Sequence, residues 1–325
     1  MFPLLEPLSS GQLDVGDGHR LYFESCGNPH GVPVVVLHGG PGSGASPRMR
    51  TLYDPQLFHV VLFDQRGAGR SLPAGELHAN HLDALLADIE RLRVHFGIAR
   101  WLVSGGSWGA TLALAYAASY PQAVLGVLVR SIFLSGERDL HWFFQGVARL
   151  VPQDWEALAA LVSPAERDDL LAALQRRLNG TDPALARTVA LAWARYEERL
   201  ARPGLPGPSD PALDDLATQD RLLSKCRLQA HYLRQQCFLG EARLWHLVAR
   251  LPAVPVAIVH GRLDWICVPE NAWRLHQAIP GSRLTWADGA GHEPFHPAMA
   301  NAWNDYLHCF AERGDFATIA PAATK

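Results

Sequence analysis

The chain has 325 residues, 48% apolar and 19% charged, and a formal charge of −3 from 29 Lys+Arg against 32 Asp+Glu. Mean hydropathy is near zero, so the chain can build a sizeable core and is not disordered; without any basic run, nucleic acid is a poor partner. Five scattered cysteines (Cys26, Cys226, Cys237, Cys267, Cys309) form no C-x-x-C pair, which speaks against a disulfide scaffold or thiolate zinc site and for a reducing cytoplasm.

The first residues, MFPLLEPLSSGQLDVGDG, hold no basic segment and meet Glu6 before an apolar run can form, so no signal peptide is expected. Nothing along the chain nears the ~18 apolar residues of a membrane span. GVPVVVLHGG (31–40) and FHVVLFDQRG (58–67) are β-branched runs ending in Gly and polar residues, the pattern of strands buried on both faces of a parallel sheet. LDALLADIERLRVHFG (82–97) sets Leu82, Leu85, Leu86, Ile89 and Leu92 on one helical face. WLVSGG (101–106) predicts another buried strand, ATLALAYAASYP (110–121) a helix stopped at Pro121, and AVLGVLVRS (123–131) a further strand. That alternation predicts an α/β protein with a doubly wound, mostly parallel sheet.

Beyond Phe133 the pattern changes. Residues 135–249 read as helical, rich in Ala, Leu, Arg and Trp. Ser163-Pro164-Ala165-Glu166 has the residues of a capping box, and Thr181-Asp182-Pro183 opens a long helix through Ala201. RPGLPGPSDP (202–211) reads as a linker. Sheet-like sequence resumes at VPVAIVHG (254–261), then a helix (269–279), a strand SRLTWAD (282–288) and a closing helix (297–313). The expected organisation is a core in two parts, 1–134 and 250–325, with a helical cap of 135–249 inserted between them.

Two chemistries compete in the first half. Gly40-Pro41-Gly42-Ser43-Gly44-Ala45 satisfies the loose dinucleotide pattern, with Asp64 closing the next strand. The helix that should begin there is missing, because SPRMRTLYDP follows with Pro47 and Pro55 and no apolar face. Gly105-Gly106-Ser107-Trp108-Gly109 carries more weight, being G-x-S-x-G between a strand and a helix. A serine hydroxyl needs a base and the base an orienting acid, in the chain order Ser, acid, His for this architecture. Asp264 in GRLD (261–264) and His292 in GAGH (289–292) both follow strands, at the edge where such sheets place ligands. Ser107, Asp264 and His292 are the expected catalytic residues. The N–H groups of Trp108 and Gly40 are the expected oxyanion donors, Gly40 because glycine lets backbone approach a substrate closely.

With HGGPG (38–42), FDQRGAGRS (63–71), GGSWGATLALAY (105–116), HGRLD (260–264) and GAGH (289–292), the chain resembles the proline iminopeptidase (prolyl aminopeptidase) family of α/β hydrolases over nearly its whole length. The resemblance implies an α/β-hydrolase fold with an inserted helical cap, and a serine exopeptidase that releases N-terminal proline without metal or cofactor. It implies that carboxylates of the cap hold the substrate's free amino end. One would be Glu197, in Tyr196-Glu197-Glu198 where the family has Trp-Glu-Gly; it is equally a partner for Arg195, Arg199 or Arg202. The second acid, upstream of His231-Tyr232, falls on Gln229. Losing one acid weakens the hold on a cation and leaves room for an esterase or amidase of altered selectivity. A non-catalytic ligand-binding protein of this fold is the third alternative; it predicts no labelling of Ser107 by a fluorophosphonate. Phe133, Trp142, Phe143 and Phe144 are candidates for a pocket around a pyrrolidine ring, or for plain cap-to-core packing. Cys267 matches a pocket position or is a buried structural thiol, and Leu233 stands where an aromatic is expected. The expected partner is a small peptide or amide substrate with a free N-terminus, with neither nucleic acid nor membrane involved.

Overall fold

The computed structural model describes residues 1–204 and 215–317, so 205–211 of the expected linker lie outside the described residues. Sequence reading passed over the opening hairpin, β1 (Ser9–Gly16) and β2 (His19–Gly27). Asp17 and Gly18 turn it with positive φ (55° and 78°), as two-residue hairpin loops require. Then follow β3 (Val32–Leu37), β4 (Phe58–Phe63), α1 (Leu82–His95), β5 (Trp101–Ser107), α2 (Trp108–Ser119) and β6 (Val124–Ile132). After a helical stretch come β7 (Val256–Gly261), α9 (Pro269–Ala278), β8 (Arg283–Ala287) and α10 (Pro297–Arg313). Among the described residues, eight strands form one sheet in the order β1-β2-β4-β3-β5-β6-β7-β8. Of the strand pairs described, only β1–β2 and β2–β4 are antiparallel.

Alternate residues of the central strands enter different cores. Val35 and Leu37 of β3 join α1 and α2, whereas Val34 and Val36 pack with Met299, Trp303 and Phe310 of α10. Both faces are covered, which is why these strands read as unbroken apolar runs rather than alternating ones.

Between β6 and β7 the described residues form α3 (Glu137–Phe144), α4 (Pro152–Ala159), α5 (Leu170–Leu178), α6 (Pro183–Ala201), α7 (Leu216–Arg234) and α8 (Gly240–Val248). The box at Ser163 forms as read: Ser163 N–H donates to Glu166 Oε2 (3.0 Å), though it opens a 3-10 turn ahead of α5. Asp182 caps α6, its carboxylate accepting from Ala184 and Leu185 N–H. Helices α6 and α7 lie side by side, and their facing residues reach the cavity described next.

Candidate active site

Strand β5 passes into α2 with no intervening loop, and Ser107 takes the turn with φ 58° and ψ −127°. A β-carbon at Gly109 would stand 2.0 Å from the Leu37 carbonyl oxygen, and one at Gly105 would stand 2.3 Å from the Gly109 oxygen. Only glycine fits at either place, so the residues flanking the serine are dictated by the closeness of β3, β5 and α2. The turn leaves Ser107 on the wall of a cavity of about 600 Å³.

His292 lines the same cavity. Its Nδ1 lies 2.8 and 3.0 Å from the two carboxylate oxygens of Asp264. Asp264 is buried and also accepts the N–H groups of Ile266 and Cys267 at 3.0 and 2.9 Å. Burial pushes the Asp264 carboxyl up, but the adjacent His292 and these donors outweigh it and hold it below its ordinary value. An ionised Asp264 fixes the proton of His292 on Nδ1, leaving Nε2 as the basic nitrogen. The backbone of His292 is anchored too: its N–H donates to the Ala201 carbonyl at the end of α6 (3.1 Å). Its own carbonyl accepts a long bond from Arg130 Nη1 (3.4 Å).

The loop after β3 runs alongside the serine; a β-carbon at Gly39 would be 3.3 Å from Ser107 Cβ. Gly40 has φ 116° and lines the cavity, while Trp108 supplies the first N–H of α2. Gln65, unnoticed in the sequence, ties the two together. Its amide donates to the His38 carbonyl (2.9 Å) and accepts from Trp108 Nε1 (2.9 Å). Its backbone N–H donates to His38 Nε2 (2.9 Å). Asp64 holds no ribose: its carboxylate takes the Ala45 N–H at 2.6 Å and the Arg70 side chain at 2.8 Å. The glycine loop is thereby cinched to β4.

Phe133, Phe143, Phe144, Leu233 and Cys267 all line the cavity. Trp142, grouped with these phenylalanines in the sequence, does not; its Nε1 donates to the Trp265 carbonyl at 2.8 Å. Cys267 is buried, and burial raises its thiol far above the usual range, so it stays protonated. Arg130, also missed, is buried at the cavity floor beneath Gly106, and burial lowers it to about 10.

Glu197 and Gln229 face the cavity from α6 and α7. The carboxylate is engaged across the helices: Lys225 Nζ is 2.5 Å from Oε2, and Gln229 Nε2 donates to Oε1 at 2.7 Å. Lys225 was not anticipated, although it lies four residues before Gln229 and thus on the same face of α7. Burial pushes Glu197 up and Lys225 down, but their mutual attraction prevails, and both remain charged. Among the described residues, no three His, Cys, Asp or Glu side chains come together as a metal site, and no helix is long and apolar enough to cross a membrane.

Residues 32–298 match the family described as the alpha/beta hydrolase fold. The proline iminopeptidase of Xylella fastidiosa is 43% identical over 307 residues, covering 93% of this chain and 96% of that one. That of Arabidopsis thaliana is 40% identical over 305 residues, 92% and 79% of the two chains. Among solved structures, proline iminopeptidase from Mycobacterium smegmatis superposes with a TM-score of 0.59 at 20% identity, over 94% of this chain and all of that one. VinJ superposes with a TM-score of 0.65 at 22% identity, over 94% and 99%.

Proposed function

This chain belongs to the proline iminopeptidase family and is an α/β hydrolase; on that premise we propose that it releases N-terminal proline from peptides through an acyl-enzyme on Ser107. The observation that carries the assignment is a serine in left-handed backbone geometry on the same cavity wall as an imidazole whose far nitrogen is held 2.8 Å from a buried carboxylate. His292 Nε2 takes the Ser107 proton as Oγ attacks the prolyl carbonyl. The N–H groups of Gly40 and Trp108 receive the oxyanion, and His292 returns the proton to the departing amine. Water then repeats the sequence on the ester. Asp264 keeps the imidazole in the required tautomer and stabilises its cation. The scheme calls on no metal or cofactor.

Helices between 135 and 249 act as a cap in this reading. Phe133 and Phe144 wall a slot for the pyrrolidine ring, and Cys267 closes it beside the serine. Glu197 and Gln229 stand where the substrate's amino end would be read. All five cysteines are unpaired and buried, which supports a reducing, cytoplasmic location. A small peptide fills the role of partner, with no part for nucleic acid or a membrane.

Hydrolysis of a chromogenic proline amide, set beside its N-acylated form, is the direct test. Turnover of the free form that disappears in Ser107→Ala is expected. Equal rates on the two substrates would refute reading of the amino end. A strong preference for simple aryl esters over both would instead favour the esterase alternative, for which the already neutralised Glu197 is the supporting observation.

A further inference from the structure

HGRLD (260–264) ends on the orienting acid and begins with a histidine that the proposed chemistry does not use. His260 is buried near the end of β7. Neighbouring β6 carries a bulge opposite the nucleophile. Gly106 pairs with Arg130 and Ser107 with Ile132, so Ser131 is an extra residue, with φ 50°. Just past it, both backbone groups of Ile132 are taken by side chains of the β7–α9 region. Its N–H donates to His260 Nδ1 (3.0 Å), and its carbonyl accepts from Asn271 Nδ2 (3.1 Å).

The other ring nitrogen, Nε2, lies 2.9 Å from the Cys267 carbonyl and 3.8 Å from Asp264 Oδ2. A backbone N–H only donates, so Nδ1 is the bare acceptor and the ring proton sits on Nε2, donated to Cys267. Burial pushes the imidazole down and outweighs the nearby Asp264 carboxylate, in keeping with the neutral form. The loop gripped at Cys267 is the one whose Ile266 and Cys267 N–H groups hold Asp264 Oδ1 (3.0 and 2.9 Å). One ring therefore spans from the bulge beside Ser107 to the loop that aims Asp264 at His292. The next residue leaves no slack on the far side: a β-carbon at Gly261 would stand 2.2 Å from the Gly291 oxygen, immediately before His292.

We infer that His260 is a positioning residue for the catalytic base: a neutral brace, anchored on Ile132, that holds the Asp264 loop through Cys267 and so sets how His292 meets Ser107. This deepens the acyl-enzyme reading and rests on it. The Cys267 arm is the one that matters for chemistry, because the carboxylate keeps its aim only while its donor loop stays in place. Without that arm the loop shifts, His292 loses a fixed partner for Nδ1, and Nε2 moves relative to the Ser107 hydroxyl. The walls supplied by Glu197, Gln229 and Phe144 are untouched, so the loss falls on kcat.

Two substitutions in the full chain divide the brace. In His260→Asn the side-chain oxygen stands where Nδ1 stood and can keep the Ile132 bond, but no atom reaches Cys267. In His260→Gln the amide nitrogen stands where Nε2 stood and can keep the Cys267 bond. On a chromogenic prolyl amide, His260→Asn should lose kcat about ten- to a hundredfold with KM little changed, and His260→Gln should retain about fivefold more of it. In 1H NMR of the free enzyme, the far-downfield line of the His292 Nδ1 proton, identified by its loss in His292→Gln, should persist in His260→Gln and vanish in His260→Asn. Equal kcat in the two variants, the reverse order, a loss carried by KM, or an unchanged line in His260→Asn would overturn the inference. The wild-type chain supplies a check that needs no variant: 15N–1H correlation at pH 7 should place the His260 proton on Nε2, and a proton on Nδ1 would overturn the brace even where neither variant folds. The NMR readouts need no turnover, so a wild-type enzyme that fails to cleave prolyl amides would sink the parent reading separately.

Discussion

The proposed catalytic groups and the proposed amine reader share one cavity but are built differently. Ser107 closes β5, and Asp264 and His292 lie in the loops just past β7 and β8, where backbone hydrogen bonds to the Gly261 carbonyl (3.2 Å) and the Ala201 carbonyl (3.1 Å) fix their position before any side chain is placed. Glu197, Lys225 and Gln229 sit mid-helix on α6 and α7, and only each other's charge and hydrogen bonds define where their ends lie. Position held by backbone tolerates little sequence change; position held by side-chain pairing can be rewritten by one substitution. Chemistry is kept on the first kind of scaffold and selectivity on the second.

The largest expected effect would break the sheet-end side of that contrast. In Asp264→Asn the side-chain oxygen can keep the Ile266 and Cys267 N–H bonds, so its NH2 group must face His292 Nδ1. Two donors cannot share that contact. The imidazole would move its proton to Nε2 and lose its capacity as a base. Turnover of a chromogenic prolyl amide should fall about 10³–10⁴-fold at pH 7, with the melting temperature little changed. A loss below tenfold would remove Asp264 from its assigned part.

An intermediate effect is expected at Gln65, which joins the loop of Gly40 to the start of α2. Gln65→Leu keeps the backbone bond to His38 but strips two side-chain bonds, leaving the His38 carbonyl and Trp108 Nε1 unpaired. Relaxation of the two oxyanion donors should lower kcat about ten- to a hundredfold while KM shifts little, since a misaligned donor is felt mainly in the transition state. A change confined to KM would show that Gln65 shapes the pocket and does not position the donors.

Legibility in the sequence follows the same division. Strands β3 to β7 are largely buried on both faces, so their apolar runs announce them, and the proposed triad is findable because motif and chain order travel with strand ends. Hairpin β1–β2 lies at the sheet edge with β1 largely exposed, and its polar residues hide it; the Asp17-Gly18 pair was the available signal. Glu197 is reachable by resemblance, but its coupling to Lys225 depends on how two helices face each other across 28 residues of chain. Periodicity puts Lys225 and Gln229 on one face of α7 without saying which face of α6 they meet. Gln65 likewise reads as part of a loop until β4 and α2 are seen together.

The smallest expected effect sharpens the helical side. Glu197 is held below the ordinary carboxyl value, so its contribution to stability is present above about pH 4.5 and is lost as the pH falls through the lowered folded value. Lys225 is held above its ordinary 10.5, so its contribution is present below that pH and is lost as the pH rises through the raised folded value. The pair therefore stabilises across a plateau from about pH 5 to about pH 10. Its worth should be modest, about 1 kcal/mol, because an ion pair that keeps some contact with water is partly screened. Thermal melting of the wild-type chain and Lys225→Met across pH 3–11 should differ by about 2 °C on the plateau and converge at both extremes. A difference that stays constant down to pH 3 would mean that Lys225 contributes through packing of its methylene stem and not through Glu197. In that case the two helices would be held together by apolar contact alone, and the amide of Gln229 would lose the charge that orients it.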